Sequence, residues 1–284
     1  MDEATQREKA ARLLALHAGP EVLVVGSAWD AASAVIFERE GFAAIATSSA
    51  GIAFSLGYPD GQRIPRDEML AAVARITCAC RLPVSADIES GYGSTPREVS
   101  ETCRGVLAAG AVGVNLEDTT DDPVEPLVPP ELQAEKIRAI RAMADEFGVP
   151  LVINARTDVY WLGLGEEKTR LDDTIRRLAV YRAAGADCLF VPGAVDRPTI
   201  ARLAREVAGP LNILATAGTP SVGELAALGV RRVSQGSGPA RAALATTCRV
   251  ARELKSCGTY AAYTTDAIAY ADANRLFERA DGGR

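Results

Sequence analysis

Short apolar runs rich in β-branched residues recur along the chain. Each is followed by a longer stretch in which apolar positions return every three or four residues. The short runs are EVLVVGS (21–27), AAIATSS (43–49), PVSADIE (83–89), GVNLED (113–118), PLVINARTD (150–158), DCLFVPG (187–193), PLNILA (210–215) and RRVSQGS (231–237). The stretches between them, such as AASAVIFEREG and PPELQAEKIRAIRAMADEFG, read as helices, and several close on glycine, which suits a helix C-terminus. Continuously apolar strands alternating with helices predict a parallel sheet covered by helices. Eight such units in about 240 residues have the size of a (β/α)8 TIM-type barrel. A doubly wound open sheet is the alternative, and the lack of Gly-x-Gly-x-x-Gly after the first run weighs against it.

The pattern continues past the eighth unit. From about 241 the chain reads RAALATTCRVARELKSCGTYAAYTTDAIAYADANRLFERA, helical and longer than one barrel helix requires. We expect residues 1–284 to form one barrel domain with this helical extension, packed on its own barrel or swapped onto a neighbouring subunit.

Composition narrows the function classes. The chain has 284 residues, 48% of them hydrophobic and 24% charged, ordinary values for a globular protein. A net charge of −6 without a basic block argues against nucleic acid as a partner. No apolar run reaches membrane-spanning length, and MDEATQREKAARLLALHAGP reads as a helix, not a signal peptide; a cytoplasmic protein is expected. Six cysteines, at 78, 80, 103, 188, 248 and 257, contain no Cys-x-x-Cys, so reduced, mostly buried thiols are expected. His17 is the single histidine and lies on a predicted amphipathic helix, which argues against Ser-His and Cys-His chemistry. Lys9, Lys136, Lys168 and Lys255 all fall in predicted helices, so no lysine is placed at a strand end to form a Schiff base.

In a (β/α)8 barrel the chemistry sits at the C-terminal ends of the strands. Here those ends are acidic. Asp87 and Glu89 are two apart and share a side of one strand, and Glu117 ends the next. Three converging carboxylates repel unless a cation sits among them. Oxygen ligands without imidazole or thiolate favour Mg2+ or Mn2+ over zinc. Asn154 and Arg156 share a face of the following strand, where Arg156 could bind a substrate carboxylate or stabilise an enolate. Ser48, Ser49 and Ala50 open a stretch of small residues that lets backbone N–H groups approach a ligand. Asp60 closes that stretch, as a site carboxylate or as a turn residue after Pro59. The turn Gly91-Tyr92-Gly93 is expected to border the substrate, and Asn212 to reach it from the seventh strand. SQGSGPARAALA (234–245) fits either a phosphate loop or a plain helix start.

GSAWDAASAVIFEREGFAAIATSSAGIAFSLGYPD, ADIESGYG, GVNLEDT, INARTDVY, YRAAGADCLFVPG and PLNILA follow one another in the chain. Together, over roughly 20 to 255, they resemble the isocitrate lyase / phosphoenolpyruvate mutase superfamily. The resemblance implies a barrel whose eighth helix is often swapped, in a homodimer or homotetramer. It implies Mg2+ on Asp87, largely through water to Glu89 and Glu117, and a small 2-oxo or hydroxy carboxylic acid substrate. Arg156 would stabilise an enolpyruvate-type intermediate, backbone N–H groups near Ser49 and Ala50 would hold a carboxylate, and Glu117 or Asp60 could supply a proton. The lyases of that superfamily carry a Lys-Lys-Cys-Gly-His gating segment, and the mutases a lysine with an Asn-Ser pair. TTDDPVEPLVPPEL (119–132) has none of these. The expected activity is therefore a C–C lyase, oxaloacetate decarboxylase-like or 2-methylisocitrate lyase-like. A P–C bond mutase or hydrolase and a non-catalytic 2-oxo acid binder are the alternatives.

Overall fold

The computed structural model describes residues 3–278. Nine strands, all parallel, form one sheet: β1 Leu23–Val24, β2 Gly26–Ala28, β3 Ile45–Thr47, β4 Val84–Asp87, β5 Gly113–Glu117, β6 Val152–Arg156, β7 Cys188–Phe190, β8 Leu211–Leu214 and β9 Arg232–Ser234. Their order is β1-β9-β8-β7-β6-β5-β4-β3-β2. The two ends of that order are halves of one strand, separated only by Val25. The Val25 N–H bonds Val233 and the Gly26 N–H bonds Ala44, so the sheet closes on itself as a (β/α)8 barrel. The open sheet is thereby excluded. All eight expected strands are present, each shorter than its apolar run. Ser48, Glu89 and Asp158 lie beyond the last ladder residues of their strands, where the chain has already turned into the loops that carry the site.

Helices α2 Ala31–Arg39, α4 Arg66–Ala79, α5 Pro96–Ala108, α6 Pro130–Phe147, α7 Glu167–Ala183, α8 Arg197–Glu206 and α9 Val222–Ala227 separate successive strands. Their buried faces (Ile76, Val106, Ile137, Leu178, Ile200 among them) pack on the outward side chains of the sheet. One further helix, α3 Ser49–Ser55, was read from sequence only as a loop of small residues. Ser48 caps it by accepting the Gly51 N–H at 3.1 Å.

Helix α1, Glu3–Ala18, lies across the N-terminal mouth of the barrel: Leu13 packs at Gly113 and His17 meets Arg232, both the first residues of their strands. The barrel interior is unusually polar, with Ser27, Ser85, Asn115, Asn154, Asn212 and Arg232 all buried. Beyond the barrel come α10 Gly238–Ser256, α11 Ala261–Thr264 and α12 Tyr270–Phe277. Along α10 only Ala240 is buried.

No helix among the described residues is long and apolar enough to cross a membrane. The four lysines lie in helices as expected. None of the six cysteines forms a disulfide. The expectation that the thiols are mostly buried is corrected: Cys78 and Cys248, on solvent-facing positions of α4 and α10, and Cys257, just past the end of α10, are exposed.

Candidate active site

A cavity of about 300 Å³ opens at the C-terminal ends of the strands. Asp87, the last residue of β4, is its fixed point. Oδ2 accepts the backbone N–H of Ser49 at 3.0 Å and its hydroxyl at 2.7 Å, and Oδ1 accepts Asn115 Nδ2 at 2.8 Å. The Asp87 N–H is held by Thr47 Oγ1 at 2.8 Å. Asn115 in turn accepts Asn154 Nδ2 at 3.0 Å. This chain of amides fixes the orientation of both asparagines from the carboxylate outward.

Glu89 follows on the turn out of β4, with a left-handed backbone at φ 53°. Side chains rarely adopt that conformation without a functional or packing reason. Its Oε2 accepts the Gln62 N–H at 2.5 Å, while Oε1 is buried without a partner. Burial, then the neighbouring charges of Asp87 and Asp60, push the carboxyl up to about 8. Glu117, at the end of β5, is raised well above its ordinary value, first by burial and despite Arg156.

Arg156 ends β6 and is held on both sides. Nη1 donates to Glu117 at 2.5 Å, while Nε and Nη2 fork onto Asp158 at 2.6 and 3.0 Å. Burial works against its charge, but Glu117 and Asp158 outweigh it and keep the guanidinium protonated. The rings of Phe190 and Trp161 lie 5.7 and 6.0 Å from it. Asp158 is anchored by its own N–H to Asp118, which also accepts Thr157, Tyr181 and Arg177.

The model of the phosphoenolpyruvate phosphomutase family matches residues 13–255. The chain belongs to that family. An oxaloacetate decarboxylase of Bradyrhizobium sp. is 32% identical over 88% of this chain and 86% of its own. The uncharacterised protein Rv1998c of Mycobacterium tuberculosis is 38% identical over 84% of this chain and 87% of its own. A Burkholderia cenocepacia structure described as a lyase or mutase superimposes with a TM-score of 0.92 and 41% identity, covering 98% of this chain and 99% of that one.

Within this phosphoenolpyruvate phosphomutase-family barrel, the structure brings most of the expected site residues to one cavity. Ser48, Ser49, Ala50, Asp60, Asn154 and Asn212 line it together with the acids and Arg156. Asp60 stands exposed at the rim, its carboxyl raised by partial burial and then by Asp87. One expectation changes. Gly91, Tyr92 and Gly93 are not among the lining residues. A Cβ on Gly91 would come within 2.7 Å of Val99, and one on Gly93 within 2.3 Å of Glu98, so these glycines serve the packing of the turn against α5. Among the described residues no three His, Cys, Asp or Glu side chains converge closely enough to hold a metal ion directly; the expected arrangement has Asp87 as the direct ligand and reaches Glu89 and Glu117 largely through water. All three acids already accept protein donors, Asp87 on both oxygens, Glu89 Oε2 from Gln62 and Glu117 Oε1 from Arg156, while Glu89 Oε1 stays open.

Asp158 and Gln62 were missed as contributors. Arg-x-Asp at the end of a strand carries a signal for the first, because residues two apart share a side. Nothing in the sequence marks Gln62. The loop after β5 folds back on itself through Thr120 N–H to Pro126 and Val128 N–H to Asp118, and sets Thr119, Thr120 and Asp121 at the mouth.

Proposed function

We propose that the chain is a divalent-metal-dependent lyase that breaks a C–C bond in a small 2-oxo or hydroxy dicarboxylic acid, by oxaloacetate decarboxylase-like or 2-methylisocitrate lyase-like chemistry. One observation carries the reading. A carboxylate held rigidly from three sides, Asp87, stands beside a buried, unpartnered oxygen of Glu89 and a buried arginine. The family membership and the similarity to an oxaloacetate decarboxylase support it.

The donor set fits a hard cation: no lining side chain is Cys or His, and the open Glu89 Oε1, once its proton leaves, can face the ion or its water. Asp87 would hold Mg2+ or Mn2+, with Glu89 and Glu117 behind it. When bound, the ion supplies Lewis-acid stabilisation of negative charge on the substrate's oxo and carboxylate oxygens.

The remaining steps belong to the chain's own residues. In a 2-oxo acid the electron pair of the breaking C–C bond moves to the oxo group as an enolate; in a hydroxy acid the hydroxyl gives up its proton to become the new oxo group and the pair moves onto the carboxylate of the departing fragment. Arg156, oriented in advance by Glu117 and Asp158, presents fixed positive charge to the oxygen that takes up the pair. Phe190, itself buried, covers one side of the guanidinium, and the exposed Trp161 lies beside it. One proton must then reach the carbon that lost its substituent. Asp60, at the rim with a raised carboxyl, would give it and be recharged from solvent. Asp121 at the mouth disfavours a phosphonate dianion and so the P–C alternative.

Proton and phosphorus NMR with oxaloacetate, substituted malates, methylisocitrate and phosphonopyruvate, each with and without Mg2+, tests this reading. Mg2+-dependent pyruvate or another 2-oxo acid from a C–C substrate is the expected result. Phosphonopyruvate turnover alone would replace it with the P–C reading, and binding without turnover would leave a 2-oxo acid binder.

We also propose that the chain is a homodimer or homotetramer built through its C-terminal extension. α10 carries Leu244 and Leu254, 45% and 43% exposed, and α11 and α12 with the turn between them add Tyr263, Ile268 and Phe277 to the exposed apolar surface. That surface favours a neighbouring subunit over the chain's own barrel as the cover.

A further inference from the structure

Below Asp87 the barrel is polar and incompletely satisfied. Arg232, the first residue of β9, is 1% exposed, and among the described residues no carboxylate lies within ion-pair distance of it. Its one partner is His17, whose Nε2 lies 3.4 Å from Nη1. That contact is attractive only if Nε2 accepts. The proton must then sit on Nδ1, where Leu13 O accepts it at 2.8 Å. His17 is therefore neutral and offers no counter-charge. Arg232 Nε has no partner at all.

Three neighbours share this condition. Asn212 pairs with Arg232 in the sheet register; its Oδ1 accepts the Ser234 hydroxyl at 3.3 Å, which leaves Nδ2 open. Ser85 Oγ is buried without a partner. Asn154 Oδ1 is also open, because the amide chain anchored on Asp87 uses its Nδ2. All four residues line the cavity described above. Water could satisfy the neutral dipoles. It cannot neutralise a guanidinium, and an unpaired buried charge is costly.

We propose that Arg232, Asn212 and Ser85 form an anion subsite at the floor of the cavity, which takes the second carboxylate of a dicarboxylic substrate. The assignment of that carboxylate to the substrate rests on the function proposed above, with the substrate's other end at the level of Asp87 and Arg156. Arg232 supplies the charge, Asn212 Nδ2 and the Ser85 hydroxyl supply further donors, and Asn154 Oδ1 suits a substrate hydroxyl between the two ends. The subsite selects dicarboxylates over monocarboxylates, because a short acid cannot reach both levels. Desolvation keeps such a charge-assisted contact strong.

The test uses the full-length chain, first stripped of divalent ions with EDTA and then loaded with Mg2+. Binding of succinate, oxalate and chloride is followed by calorimetry and by the shift in Tm, in the parent protein and in Arg232→Met. That replacement removes the charge while keeping most of the length, so the fold should persist. Expected is saturable succinate binding by the metal-free parent, weakened about tenfold or more in Arg232→Met, with Mg2+-dependent oxalate binding retained in both. Equal succinate affinity in the two proteins, no succinate binding by the parent, or an equal effect of chloride would overturn the carboxylate subsite. Asn212→Ala and Ser85→Ala provide the same comparison if Arg232→Met does not fold. Asp87→Asn separates the two proposals: it should abolish Mg2+-dependent oxalate binding and leave metal-free succinate binding in place. Oxalate binding that survives Asp87→Asn would sink the metal reading without touching the floor subsite.

Discussion

Ser49 gives both its backbone N–H and its hydroxyl to a single oxygen of Asp87, at 3.0 and 2.7 Å. The residue that opens α3 thus sets the direction of the carboxylate that ends β4. The sequence reading assigned Ser49 to a substrate carboxylate; in the structure its donors are committed to the acid instead. Ser49→Ala keeps the backbone bond and removes the hydroxyl. We expect divalent-ion affinity to fall about tenfold with little change in Tm, the usual scale for a residue that orients a ligand. Calorimetry with Mg2+ and Mn2+ measures this, and unchanged affinity would remove the Ser49 hydroxyl from the site.

Arg156 is held as a planar fork, with Asp158 on one side and Glu117 on the other. Lysine keeps the charge but cannot match that fork. Arg156→Lys should lower kcat by about a hundredfold or more, with a smaller effect on KM, because the lost contact is made to charge that develops during reaction. Steady-state kinetics on the substrate found by NMR decides it; near-normal kcat would show that Arg156 is a structural ion pair.

Glu89 holds its proton up to about pH 8 because it is buried beside Asp87 and Asp60. Its folded value lies above its ordinary 4.5, so the stability it contributes to the metal-free protein is complete below pH 4.5 and is lost as pH rises through about 8. A cation binding beside it at pH 7 must expel that proton. Calorimetry in buffers of different ionisation enthalpy should show up to one proton released per ion, fading above pH 8 and reduced in Glu89→Gln. No released proton at pH 7 would mean that Glu89 is already ionised.

His17 behaves in the opposite sense. Burial, and then the Arg232 charge, lower it to about 4 from 6.5. The unfolded chain takes up a proton between those values and the folded chain does not, so this contribution to stability is present above pH 6.5 and is lost as pH falls toward 4. The full swing is roughly 3 kcal/mol. As the single histidine, His17 can be isolated by comparing urea unfolding of the parent and His17→Gln from pH 7 to 4.5. Parallel curves would show that the ring titrates normally.

The exposed leucines of α10 predict the assembly. Light scattering should give a dimer or tetramer for the parent, and Leu244→Glu with Leu254→Glu should shift it toward monomer while the far-UV spectrum is kept. A monomeric parent at micromolar concentration would rule out the proposed interface.

Much of the site was legible because a barrel strand projects alternate residues to one side. Asp87 at the end of β4, Glu117 at the end of the neighbouring β5 and Arg156 on β6 could be paired on paper, and the register does place Glu117 beside Arg156. The turn Gly91-Tyr92-Gly93 misled for a physical reason. Glycine follows wherever a backbone passes close to something, and sequence does not say whether that is a ligand or, as here, Val99 and Glu98 of the next helix.

What the sequence determined by itself was the alternation of strand and helix, and with it the barrel, its eight units and the acidic ends of its strands. Those follow from local periodicity and from the short reach between successive elements. Tertiary structure alone decided how charges pair across the closed barrel. Arg232 meets His17 across 215 residues of chain, and Ser85, Asn212 and Arg232, far apart in the chain, line one cavity. Closure of β1 onto β9 brings these residues together, and no local pattern records which buried charge will be left without a partner.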